Sequence, residues 1–225
     1  MDKITLPNQL DIDLAEEIGI HVGDGSMNIY KKAHMYSLEG DILEKDYYIN
    51  FIAPLFKKIY NLDVRLRERK CAGVFGFQKS SRELILFKNK QFNLPLGSKC
   101  NIEIPLQIRN SSLEIKKAFL RGFFDTDGGI YLEKKYGKPY PRIILVNKSM
   151  NLMNQIKEIL VNDFNFNLSM WRDKFCYRIN IRGNKNFIKW MKLIGSHNPK
   201  NINKYSNWFY QAGETLNLEE LNFKS

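Results

Sequence analysis

No apolar run in the chain approaches the roughly 20 residues needed to cross a bilayer, which argues against a membrane-spanning helix. Cysteine is scarce. Cys71, Cys100 and Cys176 are scattered, with neither the spacing of a metal site nor that of a disulfide framework. They read as small buried or half-buried side chains in a reducing interior. The start, "MDKITLPNQLDIDLAEE", lacks a basic stretch followed by an apolar one, so no secretory signal is expected and an intracellular, cytoplasmic location is. Acidic residues are the minority charge. Twenty-four Asp and Glu face 35 Lys and Arg, giving a net charge of +11. A basic domain of this size points to nucleic acid, with an acidic protein partner as the alternative.

What is present is a repeat. "EIGIHVGDGSMNIY" at 17–30 and "FLRGFFDTDGGIY" at 119–131 each run an apolar helix into an Asp-Gly end. "NLDVRLRERKCAGVFGFQ" at 61–78 has the pattern of "NFNLSMWRDKFCYRINIR" at 165–182, and "LPLGSK" at 94–99 parallels "KLIGSHNPK" at 192–200. The chain therefore reads as two copies of one unit, 1–108 and 109–225, with 99–112 as the linker. Each unit opens with a helix, started by Asp13-x-x-Glu16 in one and the capping box Ser111-x-x-Glu114 in the other. A strand pair, an amphipathic helix, a second strand pair and a last helix follow. The last helix starts at Ser80-x-x-Glu83 or near Asn184, and Pro54 predicts a kink or early break in the amphipathic helix of unit one. The order αββαββα, twice, gives an α+β fold of antiparallel sheets with helices on one face.

Carboxylates are unfavourable at a helix C-terminus, whose carbonyls carry partial negative charge. Gly19 and Gly23, like Gly122 and Thr126, stand four apart and clear a stripe for close helix packing. Side by side, those helices bring Asp24 and Asp127 together, and two such charges repel by roughly 4 kcal/mol at 4 Å in an effective dielectric of 20. A divalent cation removes the conflict. Hard oxygen ligands suit Mg²⁺, with the carbonyls of Gly23 and Thr126 as further donors, and metal-assisted phosphodiester hydrolysis is the chemistry that follows.

"LRGFFDTDG" at 120–128 resembles the LAGLIDADG motif of the homing endonucleases of that name, "EIGIHVGDG" at 17–25 is a looser copy, and "NPKNINKY" resembles the tail of archaeal members. The resemblance implies a pseudo-twofold monomer whose motif helices form the central interface and whose two sheets make a saddle over DNA. It implies metal-dependent double-strand cleavage at a long, partly symmetric site with short 3′ overhangs, using Mg²⁺ or Mn²⁺ held by Asp24 and Asp127. It also implies helper residues. Asn147 fits the polar role near the end of the second strand in unit two, and Glu39 fits it less well in unit one. Arg67 fits the cationic role in unit one, while unit two offers Trp171 at the matching position, with Arg172 and Lys174 nearby. His21 is expected to be a packing residue, and Asp125 an interface or capping residue. Intein termini are not seen, so a free-standing or intron-encoded protein is expected. A maturase that binds host-intron RNA and a non-catalytic DNA-binding regulator are the alternatives.

Strand alternation assigns faces. Phe175, Tyr177, Ile179 and Ile181 are expected in the core, with Arg178, Asn180 and Arg182 outward. Val64 and Leu66 are expected inward, with Arg65, Arg67 and Arg69 outward. Asn28, Tyr30 and Lys32, and Tyr131, Glu133 and Lys135, complete the DNA-facing sets with Arg142, Arg172 and Lys174. Two-stranded ribbons fit the major groove. Lys31 and Lys138 in the turns suit phosphate.

Overall fold

A computed structural model describes residues 4–31, 33–135 and 138–211. The expected positions Lys32, and the side chains of Lys135 and Lys138, lie outside the described set. The first repeat runs α1 (Ile12–Asp24), β1 (Gly25–Tyr30), β2 (Ala33–Asp41), α2 (Lys45–Tyr47), a π-helical segment (Tyr48–Ile52), α3 (Ala53–Tyr60), β3 (Arg67–Arg69), β4 (Val74–Ser80) and α4 (Arg82–Phe92). After α5 (Leu106–Arg109), the second repeats the order. It has α6 (Leu113–Asp127), β5 (Gly128–Lys135), β6 (Lys138–Asn147), α7 (Met150–Glu158), β7 (Ser169–Asp173), β8 (Cys176–Arg182) and α8 (Asn184–Leu193), and α9 (Pro199–Gln211) follows. Two four-stranded antiparallel sheets result, ordered β1-β2-β4-β3 and β5-β6-β8-β7. The α+β repeat expected from the sequence is the observed architecture.

Alternation along the central strands explains the core. Tyr36 and Leu38 on β2, and Ile143 and Leu145 on β6, point under the sheets, where they meet apolar faces of the helices. Between the sheets, α1 and α6 pack backbone against backbone. A Cβ on Gly19 would lie 2.1 Å from Phe119 O, one on Gly122 2.1 Å from Glu16 O, and one on Gly23 2.0 Å from Thr126 Oγ1. The spacing of small residues four apart is thus a direct steric requirement.

Several local expectations are corrected. The cap of α1 is Asp11, whose Oδ1 accepts from Leu14 N at 2.8 Å, while Asp13 pairs with Lys58. The cap of α4 is Ser81, which accepts from Leu84 N, and α6 starts after Ser112 because the Ser111 hydroxyl is spent on Ile108 O. Pro54 does not break its helix. It falls in the first turn of α3, directly after the π-helical segment, where the wider turn accommodates the missing donor. The expected linker contains α5 and buries Ile102, Ile104 and Ile108, and its backbone is pinned to the second repeat by Ser149 and Gln155. On β8, Ile179 and Ile181 face the core as expected. Phe175 does not: Asp173 pairs with Cys176, so Phe175 sits in the hairpin turn at 82% exposure. Tyr177 is half-buried against the core.

One buried charge pair distinguishes the first repeat. Glu17, in α1, accepts from Lys88 Nζ at 2.7 Å and from the hydroxyls of Tyr60 (2.8 Å) and Tyr36 (3.2 Å), all in the core. His21 stacks on Tyr36 and is fully buried, which holds its pKa well below the ordinary imidazole range; it is the packing residue expected. Gly122→Ala is expected to cost about 1–3 kcal/mol or more, because its methyl meets backbone that cannot yield. Chemical denaturation of the purified variant checks this, and wild-type stability would show that the helices can separate freely.

Candidate metal centre between the motif helices

Asp24 and Asp127 are the last residues of α1 and α6. Contact between Gly23 and Thr126 places the two helix ends together. Both carboxylates are mostly withdrawn from solvent. Burial, followed by the charges of Asp127 and Glu44, pushes the Asp24 pKa up to about 7, against the opposing effects of the Tyr48 hydroxyl and Lys99. Burial also raises Asp127, opposed by Asn147 and Lys99. Asn147, at the end of β6, donates from Nδ2 to Asp127 Oδ2 at 2.7 Å, and its Oδ1 accepts from Ser149 N at 2.9 Å, which fixes the amide orientation.

The cation at this centre is Lys99. Its Nζ donates to Val22 O at 3.0 Å and to Gly23 O, orphan carbonyls at the end of α1, and to His21 O at 3.4 Å, which Gly25 N also reaches. Burial lowers its pKa, and the charges of Asp127 and Asp24 oppose that. Lys99 was not singled out from the sequence. The signal was the GSK/GSH correspondence: Gly97 and Gly195 both adopt positive φ, and the second copy has His197 where the first has Lys99. Arg67, the expected cation, stands exposed on β3 instead. Gly23 O is occupied by the lysine, and the Thr126 hydroxyl is turned back onto Gly122 O and Phe123 O.

The residues fit a hard divalent cation. Two half-buried carboxylates meet at two helix carbonyl ends, and an ammonium already sits against the carbonyls of α1 where positive charge is wanted. A second carboxylate cluster, Glu16, Asp125 and His197, has ligand atoms within 4.8 Å of one another. Its lone pairs are spent on protein. Glu16 accepts from Arg121 Nε at 3.0 Å and pairs with His197 Nδ1 at 2.6 Å. Asp125 accepts from Ser196 Oγ, His197 N and Asn198 N. This network ties the tail to both motif helices, the interface role expected of Asp125.

A cavity of about 560 Å³ opens beside Asp127, lined among others by Lys99, Thr126, Tyr131, Asn147, Lys148 and Cys176. The outer sheet faces carry many of the expected polar residues. Asn28 is half-buried, and Tyr30, Arg65, Arg67, Arg69, Arg172, Lys174 and Arg182 are exposed. Tyr131 is exposed, with Lys204 Nζ 5.6 Å from its ring centre. Glu133 pairs with Arg142, Asp173 with Arg178 at 2.7 Å, and Glu39 with Arg69. Asn180 is not a free outward group. It is 1% exposed, between Ile144 and Ser169 of the flanking strands, and its amide oxygen is best placed toward the Arg182 guanidinium.

Residues 114–195 match a family model described as a LAGLIDADG-like domain. The chain has the LAGLIDADG fold. Similar solved structures include the homing endonuclease I-DmoI in complex with DNA and Mn (17% identity, TM-score 0.59, 82% of this chain and 98% of that one). Another is the homing endonuclease I-WcaI bound to its DNA recognition sequence (21% identity, TM-score 0.60, 91% of this chain and 87% of that one). An uncharacterised protein of Methanocaldococcus jannaschii is 24% identical over 151 residues, covering 63% of this chain and 50% of the relative. The chain thus spans about half the length of that curated relative. No helix among the described residues is long and apolar enough to cross a membrane.

The raised carboxyl of Asp24 gives a signed expectation. Its folded pKa lies above the unfolded value of 3.8, so the metal-free native state holds an extra proton between about pH 4 and 7. Asp24 therefore contributes less to stability as pH rises through that window. Asp24→Asn is expected to stabilise the metal-free protein at pH 8 by about 1–3 kcal/mol and to leave it nearly unchanged at pH 4. Melting curves in EDTA at both pH values check this; destabilisation at pH 8 would show that the carboxylate is not strained.

Proposed function

We propose that this LAGLIDADG-fold chain is a site-specific double-strand DNA endonuclease that hydrolyses phosphodiesters with a divalent metal, Mg²⁺ or Mn²⁺. The observation that carries the reading is the pair Asp24 and Asp127, half-buried together at the ends of two packed helices and flanked by two basic sheets. A protein that only binds DNA has no use for two apposed carboxylates, one of them raised by burial and by the charge of the other. In this reading the two aspartates would hold the metal, with the Thr126 carbonyl as a further donor and that of Gly23 available only if Lys99 gives it up; the metal would supply Lewis-acid stabilisation of charge on the scissile phosphate. Asn147 fixes the orientation of Asp127 and keeps a second N–H for a water or phosphate oxygen. Lys99 supplies positive charge at the dividing line.

The units 1–108 and 109–225 each offer one sheet, so one chain supplies both halves of the saddle and a monomer suffices. Exposed Arg65, Arg67, Arg172 and Arg182 suit base edges and phosphates. Arg69, Arg142 and Arg178 carry acid partners that DNA phosphates would replace. A long, partly symmetric site and short 3′ overhangs are what the resemblance to the LAGLIDADG homing endonucleases implies.

Incubating a randomised-site plasmid library with the protein in Mg²⁺ or EDTA, then sequencing the ends, tests the reading. Discrete Mg²⁺-dependent double-strand breaks at one site of about 20 base pairs are expected. Asp24→Asn and Asp127→Asn are expected to reduce cutting at least 100-fold while DNA binding persists. Full cutting by both variants contradicts the metal assignment. Preference for structured RNA without cutting contradicts the endonuclease reading in favour of the maturase.

A further inference from the structure

The two motif carboxylates do not have equivalent partners. Strand register shows why. On β6, Leu145 pairs with Gly128, the residue after Asp127, and Asn147 follows two places on. On β2, Leu38 pairs with Gly25, the residue after Asp24, so the position matching Asn147 is Gly40. Glu39, the expected counterpart, is one residue off and points to the outer face, where it meets Arg69 and Gln78.

Gly40 leaves room for another group. A Cβ there would lie 2.6 Å from Asp24 Oδ2 and 2.9 Å from the Tyr48 hydroxyl. Tyr48, in the π-helical segment before α3, is buried and donates to Asp24 Oδ2 at 3.2 Å. Burial and the neighbouring carboxylates hold its phenol well above its ordinary pKa, so it remains a donor. Glu44 lies 3.2 Å from the same point and is held from the other side by Asn198 Nδ2 (3.0 Å) and Lys200 Nζ (2.9 Å).

We propose that Tyr48 is the positioning residue of the first half-site, in place of the amide that Asn147 supplies in the second, and that the half-sites are therefore chemically unequal. The proposal rests on the endonuclease reading for its consequence on DNA, and on geometry alone for the assignment of Tyr48. An amide has two N–H donors, and Asn147 spends one on Asp127. A phenol has one, and Tyr48 spends it on Asp24. The Lys99 ammonium is likewise engaged with α1 carbonyls. The first half-site thus orients its carboxylate but has no spare donor of this kind for a water or phosphate oxygen. Of the two strands, the one served by Asp127 and Asn147 is cut first.

The test uses the full chain, Tyr48→Phe and Asn147→Ala, with strand-specific end labels on the duplex recovered from the plasmid library. The wild type is expected to accumulate a nick of a single polarity. Tyr48→Phe slows the slower strand about tenfold further, and Asn147→Ala slows the faster strand and erases the preference. A readout independent of cutting is free Mn²⁺ by electron paramagnetic resonance. Tyr48→Phe weakens Mn²⁺ binding at least about tenfold, as loss of a ligand-orienting hydrogen bond does, without loss of the folded baseline. Equal effects of both variants on both strands, or a Tyr48→Phe protein with wild-type Mn²⁺ affinity, overturn the assignment. A wild type that shows the Mn²⁺ effect but cuts no DNA removes the endonuclease reading and leaves Tyr48 as the partner of a metal-holding carboxylate.

Discussion

A Cβ on Gly19 or Gly122 would fall 2.1 Å from a carbonyl oxygen of the opposite helix, and this backbone approach of α1 to α6 decides where both motif carboxylates sit. Larger residues would push the helices apart and carry Asp24 and Asp127 with them. The same contact sets the spacing of the two sheets, because β1 and β5 begin at the residues directly after the aspartates. Fold and centre are therefore one construction. The strand that leaves each helix also carries the face proposed to meet DNA.

That construction creates an electrostatic problem and answers it in two places. Near the helix ends, two carboxylates and a set of carbonyls converge, and the ammonium of Lys99 is the cation that approaches them. Further back along the helices, Glu16 and Asp125 are fully buried and accept hydrogen bonds from Arg121, Ser196 and the backbone N–H groups of His197 and Asn198, with Glu16 also paired to His197. The contrast separates the two clusters. Burial raises a carboxyl to about 7 in each, Asp24 in the first and Asp125 in the second. Among the described residues, however, Asp24 accepts from Tyr48 alone while Asp125 accepts from Ser196, His197 N and Asn198 N, which makes the second cluster an internal strut between the repeats and the tail.

Much of this was legible in the sequence, because repetition supplies an internal control. The two Asp-Gly helix ends, the small residues four apart and the order of strands could each be checked against the other copy. Asn147 was found because it is an amide near the end of the second strand, the place the family resemblance names, and the structure puts it two residues beyond Leu145, the partner of the motif Gly128. Its counterpart was misread as Glu39, since the four-residue difference in hairpin length hides the register until strands pair. Gly40 gave no chemical signal; its meaning lies in what it leaves empty. Lys99 was overlooked because it lies in a stretch read as linker, and a cation acting on helix carbonyls needs no periodicity. Phe175 was placed in the core by alternation carried one residue past the strand. Caps slipped by one or two residues because neighbouring Ser and Asp residues compete for the same orphan amides.

The account stands on a divalent cation lying between Asp24 and Asp127. Anomalous scattering from a crystal soaked in Mn²⁺ tests that most directly, and Asp24→Asn crystals serve as the control. The account predicts a peak bridging the two helix ends that is lost or displaced in the variant. A peak seated instead among Glu16, Asp125 and His197, or one unchanged by Asp24→Asn, would contradict it.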